Sequence, residues 1–251
     1  MDRIRSLGRA PIVEAVIDFR VAGSGDLTAE TIDNAIQGRE FGYRRKGPII
    51  RGRFEAQFAA DPDPVAQPPS TTTSVIGTRL HSEDEKFVAQ FSTEGFTLSR
   101  LEPYQDWNRL IEEAKRVWPI YLDAVAPGVV TRVATRFINN LRLPLRAGDS
   151  FGRYLTQQPN FPSDVPQAMA GFLQRFVMHD ARTDAKIIVT YALEETVPGG
   201  ELPVIVDIDA SKDLKASPSS DELWHCLEDL RKLKNGFFFA SLTDEALELY
   251  A

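Results

Sequence analysis

Apolar and polar residues alternate along residues 52–59, where Phe54, Ala56 and Phe58 fall on one side of the chain and Arg53 and Glu55 on the other. This period of two predicts a strand with one solvated face, and such strands favour antiparallel pairing. Further strands are predicted over residues 11–21, 75–81, 86–101, 129–143, 186–193 and 202–208. Together these segments predict a sheet that is mostly antiparallel.

A different spacing follows Asp106, where apolar residues recur every three or four positions from Trp107 to Val125. This spacing predicts an amphipathic helix with one apolar stripe. Pro119 lies inside the pattern, and we expect it to kink the helix because it removes one backbone hydrogen bond.

Two more helices are predicted further along the chain. One has Ser163 as its N-cap and an apolar stripe formed by Met169, Phe172, Leu173, Phe176 and Val177. The other is predicted to open with a capping box at residues 219–222, Ser-Ser-Asp-Glu. Thr28 and Thr243 are expected to cap two short helices.

The order of these elements lacks regular strand–helix alternation, which favours an α+β fold with helices packed on the sheet. We expect one compact unit with two sub-halves, an N-terminal α+β half at residues 1–145 and a C-terminal α+β half at 146–251. Residues 61–74 contain four prolines and a threonine run, which predicts a flexible loop.

The cysteine count, the lengths of the apolar runs and the N-terminal segment indicate the cellular compartment. The 251 residues include a single cysteine, Cys226, so an intrachain disulfide and a zinc site made of several thiolates are excluded. No apolar run of about 18 residues is present, so no membrane contact is predicted. The N-terminal segment lacks the long uncharged core of a secretory signal, and we expect a cytoplasmic protein.

Few residues point to catalysis. The sequence has no Walker-type loop and no G-x-G-x-x-G, H-E-x-x-H or G-x-S-x-G motif, so no cofactor and no catalytic residue is predicted. His225 and Cys226 are neighbours on a predicted helix, where their side chains diverge; Cys226 is expected to pack on the core and His225 to face outward. Asp207 and Asp209 share one strand face, which suits either a divalent cation or a solvated surface.

Basic residues form two candidate anion sites. Arg132, Arg136 and Asn140 lie on one face of a predicted strand and could hold a phosphate or carboxylate; the alternative is an ion pair between neighbouring elements. Residues 39–53 are rich in arginine and lysine and could contact nucleic acid. Because the net charge is −7, a solvated loop or an ion-pair partner for the acidic C-terminal part is favoured for them.

The chain end is rich in apolar side chains. Phe237, Phe238 and Phe239 are consecutive, and no helix or strand turns three successive side chains toward one core. These rings, with Leu247 and Tyr250, predict an interface with a protein partner or with a second copy of the chain. The alternative is that the last helix folds back and covers the extra ring.

Several short segments together resemble a family. They are Leu7 with Ala10-Pro11-Ile12-Val13-Glu14-Ala15, Gly95-Phe96, Ser99-Arg100-Leu101, Pro103-Tyr104, Trp107, Arg136-Phe137-Ile138-Asn139, and Phe239-Ala240-Ser241-Leu242-Thr243-Asp244. In this order they resemble a sporadically distributed family of uncharacterised prokaryotic proteins of about 250 residues. The resemblance covers essentially the whole chain and implies an association with mobile or phage-defence genes; it implies no activity and no catalytic residues.

The sequence therefore favours a non-enzymatic binding or regulatory protein. One alternative is a binder of a nucleotide or nucleic acid that uses the arginine surface, and another is an enzyme with an unfamiliar site. Known motifs discriminate weakly among these, because function depends on sites rather than on folds.

Overall fold

Antiparallel strand pairing dominates the structure, a computed structural model that describes residues 7–23, 25, 27–55, 70–146, 149–166, 169–193 and 201–251. The strands are β1 (Ile12–Ala22), β2 (Tyr43–Glu55), β3 (Ser70–Ser82), β4 (Phe87–Ser92), β5 (Gly95–Leu101), β6 (Val129–Leu143), β7 (Phe172–Asp180), β8 (Ala185–Leu193) and β9 (Leu202–Ala216). In this described part they form one nine-stranded sheet in the order β2-β3-β4-β5-β1-β6-β9-β8-β7. The predicted α+β class and antiparallel pairing are confirmed.

The helices are α1 (Ala29–Ile36), α2 (Trp107–Val125), α3 (Glu222–Ser241) and α4 (Asp244–Glu248), with one turn of 3-10 helix at Phe151–Arg153. Asp106 caps α2, its side chain accepting from the Arg109 backbone N–H at 2.8 Å, as the sequence predicts. Thr28 and Thr243 cap α1 and α4 in the same way. None of the described helices has the length and apolar character needed to cross a membrane.

The three longer helices cover one face of the sheet. Ala15, Ile17 and Phe19 alternate along β1 and are fully buried on that face. The Phe19 ring lies 4.8 Å from Trp118 of α2 and 5.5 Å from Trp224 of α3, measured between ring centroids. Helix α1 packs against α2 and β3. We call this side the helix face and the opposite side the open face.

The predicted boundary between residues 145 and 146 falls within a continuous sheet. Strands β1–β6 precede the boundary and β7–β9 follow it, and β6 pairs with β9 along nearly the whole of both strands. The division into two halves stays a prediction.

The helix predicted after Ser163 is wrong, because Phe172–Asp180 forms strand β7 instead. Phe172 and Phe176 lie on the partly buried side of β7, whereas Leu173 and Val177 lie on the exposed side. Apolar residues on both faces of a strand can fall at helical spacing by coincidence, so periodicity alone cannot separate the two structures.

The predicted capping box is also wrong in detail. Helix α3 begins at Glu222, and Asp221 at its N-cap makes no capping hydrogen bond through its side chain. The Glu222 backbone N–H donates to Ser220 Oγ at 3.2 Å instead. The local chain thus satisfies one of the free N–H groups by another route.

The predicted loop over residues 61–74 ends earlier than expected, because residues 70–74 belong to β3. Pairing with β2 extends to this end of the strand, which supplies hydrogen-bond partners that the sequence pattern does not reveal. Residues 61–69, and residues 56–59 of the predicted strand at 52–59, lie outside the described part of the chain.

A pair of leucines on α2 tests its buried stripe. Leu110 is fully buried and Leu122 is partly buried. We expect Leu110→Ala to lower the free energy of unfolding by about 2–5 kcal/mol, and Leu122→Ala to cost clearly less, because a larger cavity forms at the better-packed position. Urea denaturation of both variants checks this; equal losses would contradict the packing of α2.

Candidate functional site

Arg132 and Arg136 lie on the open face of β6, and both form ion pairs with neighbouring strands. Arg136 donates from Nε and Nη2 to the two carboxylate oxygens of Asp207 on β9, at 2.8 and 2.6 Å. Arg132 Nη1 donates to Asp18 Oδ1 on β1 at 3.0 Å, and its Nη2 lies 3.6 Å from Asp209 Oδ1. These contacts are the inter-strand ion pairs that the sequence left open as the alternative to an anion site.

The arginines of this cluster already face carboxylates. Asp18 also accepts from Arg20 Nε at 3.2 Å and from the Thr97 hydroxyl at 2.8 Å. The carboxylates of Asp18, Asp207 and Asp209 face the guanidinium groups of Arg20, Arg132 and Arg136. All of these residues except Asp207 line a cavity of about 310 Å³. An external anion would therefore have to compete with carboxylates already in place.

Asn140 lies toward the end of the same face of β6. Its side-chain Oδ1 is buried and accepts no hydrogen bond from the described residues. Asn140 makes no contact with Arg132 or Arg136 among the hydrogen bonds of the described chain, so the structure does not bring the three predicted residues to one ligand position.

Asp209 is the least well paired carboxylate of the cluster. Its Oδ1 is buried and receives no hydrogen bond from the described chain. Loss of hydration raises the pKa of its carboxyl group, and the charges of Arg132 and Arg136 offset only part of this effect. With both oxygens of Asp207 bound to Arg136, the aspartate pair that suits either a divalent cation or a solvated surface lies within the ion-pair cluster, and no group of three metal-binding side chains occurs among the described residues.

The basic segment at residues 39–53 is mostly strand rather than loop, because residues 43–53 belong to β2. Its cations pair with acids of the preceding and following elements: Arg45 with Asp33 at 2.9 Å, Arg39 with Asp123 at 3.3 Å, and Lys46 with Glu85. Most of the segment is therefore not the predicted loop, and none of its described ion pairs joins the acidic C-terminal part. Acids nearer in the fold supply the counter-charge.

The C-terminal aromatic residues pack mainly on their own chain. Phe238, Leu247 and Tyr250 are buried, and Phe237 and Phe239 are partly buried against the core. Tyr250 Oη accepts from the Arg142 backbone N–H at 2.8 Å. The last segment thus folds back on the chain, which is the alternative that the sequence left open.

Exposed apolar residues lie elsewhere, at Leu173, Val177 and Met178 on the edge strand β7 and also at Ile50, Val75, Phe161 and Val165. Leu173 and Val177 are 73% and 56% exposed. No strand pairs with the outer side of β7 in the described part of the chain. The apolar spacing of this segment predicts a helix, so the edge is not apparent from the sequence.

A small cavity of about 200 Å³ lies between the start of α2, the second half of α3, and β6. Its apolar walls come from Tyr104, Trp107, Phe137, Phe238 and Phe239. Lys234 also lines it, although this lysine is only 6% exposed. A signal for Lys234 was present in the sequence: it follows Leu223, Leu227 and Leu230 at helical spacing and so interrupts the apolar stripe of α3.

Cys226 is partly buried on α3, and His225 beside it is exposed, as predicted. Burial raises the pKa of the Cys226 thiol to about 11, so the reactive thiolate is disfavoured near neutral pH.

The chain matches no family model, no curated protein and no solved structure. The family resemblance given above therefore stays a prediction.

Replacing Asp209 or Asp207 by asparagine should change the free energy of unfolding in opposite directions. A raised pKa means that the folded protein holds the Asp209 proton more tightly than the unfolded chain does, so this contribution to stability is present at acidic pH and lost as the pH rises through the folded-state pKa. We expect Asp209→Asn to raise the free energy of unfolding at about pH 7, with a gain that shrinks toward about pH 4. Arg132 keeps Asp18 as its partner in this variant.

Asp207→Asn is the matched control. It removes one side of the two-point contact with Arg136 and should cost about 0.5–1 kcal/mol at neutral pH. Urea denaturation of both variants over this pH range provides the measurement. A loss for Asp209→Asn equal to that for Asp207→Asn would show that Asp209 is well paired.

Proposed function

We propose that this chain is a non-enzymatic binding module that acts as a homodimer, in which the β7 strands of two copies pair antiparallel. The observation that carries the proposal is the contrast between the two edges of the sheet. Edge strands expose unpaired backbone groups and invite pairing unless they are protected by prolines, charges or bulges.

The edge at β2 carries these protective features. It contains Pro48, one lysine and four arginines, and two shifts in its pairing register with β3. The edge at β7 contains no proline, and its register with β8 runs without a shift from Phe172 to Asp180. Within the described sheet, β7 is therefore the edge without a proline and without a shift in register.

A second copy fits this edge by its sequence. If β7 pairs with itself about a two-fold axis at Phe176, the whole strand is paired, with Phe172 opposite Asp180 of the other copy. Val177 then faces Arg175 of the other copy, so the two Arg175 side chains do not face each other. A two-fold dimer with a self-complementary surface is the commonest form of oligomer.

The chemistry of the described side chains supports a binding role over catalysis. Arg132 and Arg136 are engaged by carboxylates, and the thiol of Cys226 is held in its unreactive form. The same ion pairs weigh against the nucleotide or nucleic-acid alternative. The association with mobile or phage-defence genes, the cytoplasmic location and the two sub-halves rest on the sequence and stay proposals.

Substitutions of Val177 test both the dimer and its register. We expect Val177→Lys to abolish the dimer, because it places a second cation opposite Arg175 of the other copy. Val177→Glu should keep the dimer, because a carboxylate there faces a guanidinium. Sedimentation equilibrium of the purified proteins gives the masses.

Ile50→Lys is the control, since Ile50 is 62% exposed on the other edge strand. This variant should dimerise like the unmodified chain. An unmodified protein that is monomeric at every accessible concentration would refute the proposal. Equal loss of the dimer in the two Val177 variants would refute the register.

A further inference from the structure

Lys234 is a cation without a counter-charge in the described part of the structure. It is 6% exposed, and no hydrogen bond or ion pair joins its Nζ to another described residue. Its Nζ lies over the Phe137 ring, 3.4 Å from the ring centroid. A cation–π contact of this kind compensates only part of the hydration that a buried ammonium group loses.

The neighbouring charges do not supply the missing partner. Arg231, one turn earlier on α3, donates to Glu228 Oε2 at 2.9 Å, and Trp107 Nε1 donates to the other oxygen of Glu228. Glu228 is therefore engaged by these two donors. Asp106 lies exposed at the start of α2, where it accepts from the Arg109 backbone N–H. Tyr104 stays neutral, because burial raises the pKa of its hydroxyl group.

Burial, with a smaller contribution from the charge of Arg231, lowers the pKa of Lys234 to about 7. The cavity therefore holds a lysine that is protonated only in part near neutral pH. A buried charged group can often be replaced by an apolar residue without loss of stability. The stability of the fold therefore does not explain a buried and unpaired lysine beside a cavity, which points to a ligand.

We propose that the cavity lined by Tyr104, Trp107, Phe137 and Lys234 binds a small carboxylate with a flat apolar body, whose anionic group pairs with Lys234. The aromatic walls suit the apolar body, and the volume of about 200 Å³ restricts the ligand to a small molecule. A carboxylate supplies the one charge that balances Lys234, since the charge of Arg231 is already balanced by Glu228.

The pairing makes binding dependent on pH. The ligand binds the protonated amine, so its affinity should fall as the pH rises above the pKa of the free protein, by up to about tenfold per pH unit. The other charged groups around Lys234 are Arg231 and Glu228 on its own helix, which pair with each other, and Asp106 at the start of α2.

Benzoate and phenylacetate serve as probes, and benzamide as the neutral control of matched shape. Isothermal titration of the full chain should show binding of at least one carboxylate, with weaker binding at about pH 8 than at about pH 6. Lys234→Met should weaken this binding by at least about tenfold. Lys232→Met, which removes an exposed lysine two residues away, should leave it unchanged. Benzamide should bind no better to the unmodified chain than to Lys234→Met.

Three results would overturn the proposal: no binding of either carboxylate, equal binding to Lys234→Met, or affinity that does not fall with pH. Treatment with benzaldehyde and borohydride tests whether the site binds a carbonyl compound instead. The neutral amine would condense with the aldehyde to an imine and release water, and borohydride would reduce the imine to a stable amine. Labelling of Lys234 without carboxylate binding would overturn the ion-pair proposal and assign a carbonyl ligand. The monomeric variant Val177→Lys should bind the carboxylate normally, so failure of the dimer and failure of this site are distinguishable.

Discussion

The pairing of β6 with β1 on one side and β9 on the other is the contact on which the rest of the structure depends. It joins strands from the two ends of the chain into one sheet. It also fixes which side chains share a face, because a shift of one residue would turn every side chain of β6 to the opposite side. Phe137 and Leu141 pack under the helices for this reason, and Arg132 and Arg136 face away from them.

Because the helices cover only one face of the sheet, polar side chains on the two faces have different partners. On the open face, solvent and neighbouring strands are within reach, and the arginines of β6 find aspartates across the ladder. On the helix face, Lys234 has aromatic neighbours instead, with Phe137 beneath it. The same strand thus carries a neutral ion-pair cluster on one side and contacts an uncompensated cation on the other. Carboxylates already occupy the arginines on the open face, whereas no described residue pairs with the amine of Lys234.

The sequence predicts local structure well where independent local signals agree. Asp106 and the stripe that follows it place α2 correctly, since a cap and a period of 3.6 agree. The segment of Phe172 and Phe176 was assigned wrongly, because a strand with apolar residues on both faces also fits helical spacing. The class of the sheet could be predicted from alternation, but the strand order could not, since it depends on contacts distant in sequence.

The candidate sites show the same limit. Arg132 could be recognised as a residue with a function or a partner, but Asp18 lies 114 positions away and no local pattern connects them. Lys234 carried a readable signal, an interruption in an apolar stripe. The sequence alone does not show whether Lys234 has a counter-charge. Only the packed structure reveals that Glu228 is engaged by Arg231 and Trp107.

Hydrogen exchange measured at increasing denaturant tests most directly whether β6 and β9 hold the two ends of the chain in one cooperative sheet. The amides of β1, β6 and β9 should share the highest protection and lose it together, because their hydrogen bonds break only when the whole sheet unfolds. Exchange of β8 and β9 as a separate unit, at a denaturant concentration where β1 and β6 remain protected, would contradict this account.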